Sequence, residues 1–357
     1  MKLGLGLYRN YLTAENFRFA RQIGATHVIA HLTDYFADAH LPNASSEQAA
    51  WGVARSALWS EEDLVGLRRE VEGAGLVLAG LENFDPGFCY DVLPDGPRKH
   101  EQLEGLKTLV RRVGAAGIPV IGYNFSLAGV WGHVVGPFAR GGAESVAFRG
   151  PTPVPETPIP NGQIWNMWYD RDAPDGSLVP VDEETMWTRV SDFLHALVPV
   201  AEESGVRLAA HPDDPPVPRL RGTARLLYSP EKMQRLLDTV PSASSALEFC
   251  QGTVSEMPGV DVYDTIDRFC RQDAIAYVHF RNVVGKAPDY REVFVDEGDV
   301  DMHRAIAHYL GGGYDGVVIP DHTPQLSCAA SWHAGMAYAL GYMRAAIDAA
   351  ARVAPTR

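Results

Sequence analysis

Four residues of metal-binding types follow four short apolar segments in the second half of the chain. These residues are His211, Cys250, His279 and Asp321. A thiolate, two imidazoles and a carboxylate suit a divalent transition ion such as Mn²⁺, Fe²⁺ or Zn²⁺. Calcium and magnesium prefer shells made of oxygen alone, so the pattern does not favour them. The sequence therefore predicts a transition-metal site built from the ends of the four segments.

Two further residues beside the predicted metal site could handle a substrate. His322 directly follows Asp321 and can give or take a proton near neutral pH. Arg281 lies two residues after His279, so both side chains share one face of an extended strand. A guanidinium in that place could hold a substrate carboxylate. We also expect polar substrate contacts from residues at or near other segment ends, which are Arg9, Asn83, Asn124 and Asn282.

Eight short apolar segments, predicted as strands, alternate with stretches of helical periodicity. The predicted strands are Leu3–Leu7, Thr26–Ala30, Val77–Leu81, Pro119–Gly122, Val206–Ala210, Ala246–Phe249, Ala274–Val278 and Gly316–Pro320. The predicted helices are Ala14–Ile23, Glu61–Ala74, Gln102–Ala116, Thr185–Ser204, Ser229–Thr239, Val262–Gln272, Met302–Leu310 and Ala334–Ala351.

Repeated strand–helix alternation indicates a parallel sheet, and eight units predict a closed (β/α)8 TIM barrel formed by residues 1–357 as a single α/β domain. An open doubly wound sheet is the alternative. The chain has neither a GxGxxG motif after the first strand nor a Walker loop, which weakens nucleotide-binding versions of that alternative. Active sites of barrels lie at the C-terminal ends of the strands, where the candidate metal ligands fall.

The connection after the fourth predicted strand is much longer than most others. It spans residues 126–184 and contains a Pro-rich run and several aromatic residues, including Trp165, Trp168 and Tyr169. A structureless connection of that length is uncommon inside a compact domain. Because such connections emerge on the catalytic face of a barrel, we expect a lid or a contact within a homo-oligomer. A solvated insertion is the simpler alternative.

Composition limits the classes of function. Apolar residues make up 46% of the chain and charged residues 21%, which is ordinary for a folded protein. The net charge of −14 gives no electrostatic footprint for nucleic acid or an anionic membrane. We find no apolar run of roughly 18 residues, no signal-peptide core and too few cysteines for a disulfide scaffold. We therefore expect a cytoplasmic protein that acts on a small molecule.

A divalent ion beside an arginine suits an α-hydroxy carboxylate or a related sugar derivative. Removal of the α-proton gives an enediolate that such an ion stabilises, and His322 could take that proton or protonate a leaving hydroxyl. Elimination of water then competes with return of the proton, which would give isomerisation or epimerisation. A non-catalytic barrel that binds a metal or a sugar acid is a third hypothesis. Spacing alone does not choose among them.

Several motifs, in order along the chain, resemble those of the mannonate dehydratase family, a metal-dependent group of xylose-isomerase-like barrels. They are His-Pro-Asp-Asp-Pro-Pro (211–216), Phe-Cys-Gln-Gly (249–252), Val-His-Phe-Arg-Asn-Val (278–283), Glu-Gly-Asp-Val-Asp-Met (297–302) and Pro-Asp-His (320–322). The resemblance implies a barrel that binds Mn²⁺, or a similar ion, through the four candidate ligands. It also implies conversion of D-mannonate to 2-keto-3-deoxy-D-gluconate in hexuronate breakdown, with His322 in acid–base catalysis and Arg281 in substrate binding.

The chain departs from the family pattern in two loops that would face a substrate. After Pro-Asp-His the family carries a tyrosine implicated in catalysis, whereas residues 323–335 contain none and offer Trp332 and His333 nearby. After Tyr-Asn-Phe (123–125) this chain keeps Trp131 but lacks the charged residues of the family. Dehydration of D-mannonate is therefore the leading prediction. A metal-dependent isomerase or epimerase, or action on another sugar acid, is the alternative.

Overall fold

Eight parallel strands close into a barrel. The computed structural model describes residues 1–35, 51–53, 57–149 and 157–353. The barrel strands are β1 (Lys2–Leu7), β2 (His27–Ala30), β3 (Val77–Leu81), β4 (Val120–Tyr123), β5 (Arg207–Ala210), β6 (Ser245–Cys250), β7 (Ile275–His279) and β8 (Val317–Ile319). Each strand pairs with its neighbours along the chain, and β1 pairs with β8, which closes the sheet. The predicted (β/α)8 barrel is confirmed, with every predicted strand within one residue of its observed bounds.

Helices follow the strands and surround the barrel. They are α1 (Ala14–Gln22), α2 (Glu61–Gly73), α3 (Lys99–Ala115), α4 (Glu183–Ser204), α5 (Pro230–Thr239), α6 (Val262–Cys270), α7 (Met302–Gly311) and α8 (Ser331–Val353). Side-chain caps fix several starts: Ser60 accepts from the amide of Asp63 at 3.0 Å, and Asp182 accepts from that of Thr185 at 2.8 Å. Among the helices of the described residues, none has the length and apolar character needed to cross a membrane.

A short helix that the sequence did not predict, Gln251–Glu256, begins directly after β6. Cys250 occupies its N-cap, and its sulfur accepts from the amide of Thr253 at 3.5 Å. The helix has only six residues and includes Gly252, Thr253 and Val254, which have weak helix propensity. Its stability comes from burial of all six residues against the rest of the protein.

Two layers of apolar side chains hold the barrel together. The larger packs the helices against the outside of the strands, where Leu106 of α3 and Leu194 of α4 are fully buried. Burial of one such side chain contributes about 1.5–3 kcal/mol. A smaller, separate cluster has its buried members on barrel strands and includes Ile29, Tyr277 and Ile319. This second cluster fills the barrel interior, and the ring of Tyr277 within it lies 5.6 Å from the ring of His279.

The insertion after β4 is present as predicted, and much of it is folded. Its strands His133–Ala139 and Ala143–Arg149 form an antiparallel hairpin. A second hairpin, Val283–Lys286 with Asp289–Glu292, follows β7 and was not predicted. Pairing of Asp289–Glu292 with Ala143–Arg149 joins the two hairpins into one four-stranded sheet. Residues 150–156 of the insertion lie outside the described residues.

The remaining short elements lie in connections between barrel units. Strands Trp51–Val53, Gln163–Ile164 and Met167–Trp168 form one small sheet, and Arg219–Leu220 pairs with Thr223–Ala224. Single turns of 3-10 helix occur at Arg9–Tyr11, Pro86–Phe88 and Arg140–Gly142. Trp168 therefore lies in a folded part of the insertion.

Candidate metal centre and active site

The structure brings the four candidate metal ligands together at the carboxyl ends of four neighbouring strands. His211 follows β5, Cys250 ends β6 and His279 ends β7, and one ligand atom of each lies within 4.8 Å of the others. Asp321 follows β8, and its Oδ2 lies 3.3 Å from Nδ1 of His279. Neighbouring parallel strands thus present a sulfur, two imidazoles and a carboxylate toward one region of the barrel mouth.

Hydrogen bonds leave one nitrogen of each histidine available as a metal ligand. His211 Nδ1 lies 2.6 Å from the carbonyl oxygen of Pro212, so Nδ1 donates there and Nε2 is left to face the cluster. His279 Nε2 lies 3.2 Å from Glu82 Oε2, so Nε2 donates there and Nδ1 is left to face the cluster. Although burial lowers the pKa of His279, the carboxylates of Asp321 and Glu82 raise it well above its usual value. A proton therefore lies between His279 Nδ1 and the Asp321 carboxylate, 3.3 Å apart, and a divalent cation would take its place.

Cys250 would supply a sulfur donor in its anionic form. Its side chain is fully buried, and burial alone would raise the pKa of the thiol. The charge of Arg281 and hydrogen bonds from His211 and His279 outweigh burial and lower the pKa of Cys250 to about 5. A thiolate at neutral pH, two imidazoles and a carboxylate are the donors that a divalent transition ion takes. The residues present therefore fit such an ion.

Asp321 is held in place by an unusual backbone conformation. Its φ is 62°, in the left-handed region that costs a residue other than glycine roughly 1–3 kcal/mol. Burial would raise the pKa of its carboxyl, but the charges of His279 and His322 hold that pKa well below its usual range. The chain thus accepts local strain at the end of β8 to keep an ionised carboxylate beside His279.

Two buried carboxylates lie on the other side of His279. Glu82 follows β3, Glu248 lies on β6, and Glu248 Oε1 is 3.1 Å from His279 Nε2. Although burial raises the pKa of Glu82, the charges of His31 and His279 lower it to about 2. Burial, reinforced by the charge of Glu82, raises the pKa of Glu248 to about 7. Because both groups face Nε2, we interpret them as supports that orient His279 toward the other ligands.

Glu248 is not among the residues predicted from the sequence, although its spacing held a signal. It lies two residues before Cys250 on the same strand, so alternation places both side chains on the same face of the barrel wall. An acidic residue within an apolar strand is rarely buried without a partner. That combination could have identified Glu248 as a residue pointing toward the site.

Arg281 lines the cavity, but its guanidinium already forms ion pairs with carboxylates of the protein. Nη1 donates to Glu292 Oε1 at 2.7 Å, and Nη2 donates to Asp214 Oδ2 at 2.6 Å and to Glu256 Oε1 at 3.1 Å. The side chain is only 3% exposed. Although burial lowers the pKa of Arg281, these carboxylates and the Cys250 sulfur raise it well above its usual value. Its positive charge is therefore fixed beside the metal-ligand cluster.

His322 lies at the cavity wall with 43% of its side chain exposed. Its Nδ1 is 3.0 Å from Glu292 Oε2, and its Nε2 is 3.5 Å from Asp321 Oδ1. Partial removal from water lowers the pKa of His322, but the carboxylates of Asp321 and Glu292 raise it to about 9. The structure thus places His322 against the cluster with Nδ1 directed at a second carboxylate.

The predicted substrate-contact residues divide into two groups. Asn83 and Asn124 line the cavity, where they bond Tyr35 and Trp165 respectively. Arg9 and Asn282 are not among the described residues that line it.

Arg9 donates to the carbonyl of Leu32 at 3.1 Å. Asn282 is buried and bonds only backbone groups, among them the carbonyls of Val295 and Val300 at 3.0 Å each. Because Asn282 lies outside the described lining of the cavity, its contact with substrate stays a prediction that this position does not favour.

The insertion and the second hairpin contribute directly to the site. His133 of the insertion lines the cavity, and its Nε2 lies 2.6 Å from the hydroxyl of Tyr290 in the second hairpin. Tyr290 in turn donates to Asp214 Oδ1 at 2.6 Å, and Asp214 holds Arg281. The four-stranded sheet therefore forms one wall of the cavity. Tyr8 and Tyr35, from the ends of β1 and β2, lie on the lining as well.

Comparisons with known proteins identify the family of this chain. Residues 177–353 match the family model described as D-mannonate dehydratase (UxuA). A mannonate dehydratase of Streptococcus pneumoniae (strain 70585) is 30% identical over 287 residues, which covers 77% of this chain and 77% of that protein.

The chain belongs to the mannonate dehydratase family.

Solved structures extend the likeness over the whole fold. The crystal structure of mannonate dehydratase from Streptococcus suis serotype 2 superposes with a TM-score of 0.78 at 25% identity, covering 99% of this chain and 94% of that one. The 3-keto-D-glucoside 4-epimerase of E. coli superposes with a TM-score of 0.56 at 13% identity, which indicates a common fold alone. The four candidate ligands and His322 all lie within the segment that matches the mannonate dehydratase family model.

Proposed function

We propose that this protein is a metal-dependent hydro-lyase that removes water from a sugar acid, with D-mannonate as substrate and 2-keto-3-deoxy-D-gluconate as product. The observation that carries the proposal is the cluster of His211, Cys250, His279 and Asp321 at four adjacent strand ends, with His322 beside it. Membership of the mannonate dehydratase family supports the choice of substrate.

We assign the ion to His211 Nε2, Cys250 Sγ, His279 Nδ1 and the Asp321 carboxylate. Mn²⁺ is our choice, and Fe²⁺ or Zn²⁺ would suit the same donors. When bound, a divalent ion supplies Lewis-acid stabilisation of the negative charge that develops as the proton beside the carboxylate leaves. The buried carboxylates of Glu82 and Glu248 keep His279 turned so that its Nδ1 faces the other ligands.

His322 is the residue that we assign to proton transfer. Elimination of water removes a proton from one carbon of the sugar acid and delivers a proton to the hydroxyl that leaves the next. His322 Nε2 is the nitrogen not directed at Glu292, and the side chain is open to the cavity. No tyrosine occurs in residues 323–335, and the tyrosines on the described lining of the cavity are Tyr8 and Tyr35.

Arg281 has a different role here from the one that spacing suggested. Both of its Nη atoms are paired with protein carboxylates, so they are not free to clamp the carboxylate of a substrate. We propose that its charge stabilises the Cys250 thiolate and holds Glu292. Substrate binding then relies on the ion and on polar lining groups such as Asn83 and Asn124.

The insertion, residues 126–184, is proposed to cover the substrate. Its residues Val130, His133, Val135, Glu144 and Trp165 line the cavity. A cover of this kind excludes water from an anionic intermediate, which favours elimination over side reactions. A role of the same segment in a homo-oligomer stays a prediction.

A product assay tests the proposal. Purified protein is loaded with Mn²⁺ and incubated with D-mannonate, and a second sample is incubated after chelation. Products are identified by NMR after removal of the ion. Dehydration gives a 3-deoxy methylene group, whereas epimerisation gives another aldonate with no methylene at that carbon. Formation of an epimer alone would reject the dehydratase in favour of the epimerase alternative, and no reaction with a fully loaded protein would shift the search to other sugar acids.

A further inference from the structure

Glu292 connects His322, Arg281 and the insertion. It ends the strand Asp289–Glu292, is 4% exposed and lies on the wall of the cavity. Its Oε2 lies 3.0 Å from His322 Nδ1, and its Oε1 accepts from Arg281 Nη1 at 2.7 Å. Its backbone carbonyl accepts from the hydroxyl of Ser145 in the insertion at 2.7 Å. Hydrogen bonds therefore hold both the side-chain carboxylate and the backbone of Glu292.

An ionised carboxylate fixes the proton of a neighbouring imidazole. Glu292 Oε2 lies 3.0 Å from His322 Nδ1, and Arg281 Nη1 lies 3.3 Å from the same nitrogen. Arg281 Nη1 donates to Glu292 Oε1 at the shorter distance of 2.7 Å, so Nδ1 carries a proton and bonds the carboxylate, which can only accept. In a neutral imidazole the lone pair then remains on Nε2. The ion pair with Arg281 favours the ionised form of Glu292 within a buried setting. This chain of contacts selects one tautomer and one ring orientation of His322.

We propose that Glu292 is a positioning residue for proton transfer, which holds His322 with Nδ1 protonated and with Nε2 presented to the substrate. The inference rests on the proposed function, because it requires that His322 exchange a proton with the sugar acid. In this proposal the hairpin after β7 has a function: it brings the buried carboxylate of Glu292 to His322, which follows β8.

A purely structural role would make Glu292 one of several side-chain partners that hold Arg281. Glu256 separates the two roles, because it is fully buried, lies 3.1 Å from Arg281 Nη2 and makes no contact with His322 among the described contacts. Asp289 begins the same strand, is exposed and pairs with Arg149 at 3.3 Å. Glu256→Gln thus reports the loss of an Arg281 partner, and Asp289→Asn reports a charge change on the same strand.

The kinetic test compares these variants in Mn²⁺-loaded protein. For Glu292→Gln we expect kcat to fall about 10- to 100-fold, which is part of what a positioned acid–base group supplies, with KM and metal content nearly unchanged. We expect a smaller fall of kcat for Glu256→Gln and no fall for Asp289→Asn. In a His322→Ala background, Glu292→Gln should cause no further loss, because Glu292 acts through the missing ring. Full activity in Glu292→Gln would overturn the proposal. An equal fall of kcat on adding Glu292→Gln to the parent protein and to His322→Ala would overturn it as well.

A spectroscopic test does not depend on the identity of the substrate. Protein labelled with ¹⁵N-histidine and loaded with diamagnetic Zn²⁺ gives the ring-nitrogen shifts of His322, assigned by their absence in His322→Ala. We expect a protonated Nδ1 in the parent protein and a change of both ring shifts in Glu292→Gln but not in Asp289→Asn. Unchanged shifts in Glu292→Gln would overturn the inference even if D-mannonate is turned over. Changed shifts with no turnover of D-mannonate would reject only the proposed function.

Discussion

Replacement of Glu82 by glutamine should weaken metal binding although Glu82 is not one of the four assigned ligands. Glu82 Oε2 accepts the hydrogen bond of His279 Nε2 at 3.2 Å, which leaves Nδ1 as the ligand atom. A glutamine has the same shape but no charge, and its amide group can also donate. The substitution therefore loosens the orientation of His279 without removing a donor to the ion.

The structure sets the expected size of this effect. Loss of a carboxylate that supports a metal-bound histidine weakens metal affinity about 10- to 100-fold. Glu248 Oε1 lies 3.1 Å from the same nitrogen, so one carboxylate remains after Glu82→Gln. For Glu82→Gln we expect metal affinity to fall by an amount near the lower end of this range, about tenfold or about 1.4 kcal/mol. The double variant with Glu248→Gln should approach 100-fold, or about 2.7 kcal/mol.

Titration of metal-free protein with Mn²⁺, followed by calorimetry or by the EPR signal of the free ion, measures the dissociation constant. Glu104→Gln is the matched control, because Glu104 is 70% exposed, pairs with Lys107 on the surface and lies outside the cavity. Its dissociation constant should equal that of the parent protein. An unchanged constant in the Glu82→Gln, Glu248→Gln double variant would refute the orientation of His279 inferred here.

Three further substitutions and one control substitution have expected outcomes. Cys250→Ala should lose stoichiometric Mn²⁺ and activity together, measured by metal analysis and rate on one sample, and full activity without metal would contradict the assignment. Gly122→Ala should lower stability by about 1–3 kcal/mol in thermal unfolding, because its new Cβ would lie 2.3 Å from Glu248 Oε2. Leu106→Ala should lower the free energy of unfolding by about 2–5 kcal/mol, since Leu106 is fully buried. Val77→Ala is the control: Val77 is half-exposed, so this substitution should change the midpoint of thermal unfolding little.

Sequence predicted the barrel and the ligand cluster because both depend on local patterns. Short apolar strands, helix caps such as Ser60 and alternation along the chain are visible without a structure. Once eight parallel strands close, residues at their carboxyl ends must converge, so His211, Cys250, His279 and Asp321 could be grouped from order alone. The prediction that the connection after β4 is an insertion follows from its length.

The remaining features depend on contacts between segments distant in sequence. The second hairpin is stabilised by pairing Asp289–Glu292 with a strand of the insertion about 140 residues earlier, a partner that local pattern does not identify. The carboxylates that occupy Arg281 come from three separate connections, so spacing suggested a free cation where the structure has a paired one. Glu292 was overlooked for the same reason.

The rate of D-mannonate dehydration as a function of bound Mn²⁺ tests the central claim most directly. Metal-free protein is titrated with Mn²⁺, and 2-keto-3-deoxy-D-gluconate is quantified at each addition. We predict no product without the ion, a linear rise up to one equivalent per chain, and a plateau beyond it. Product formation by metal-free protein, or no product at full occupancy, would contradict the claim that this chain is a metal-dependent mannonate dehydratase.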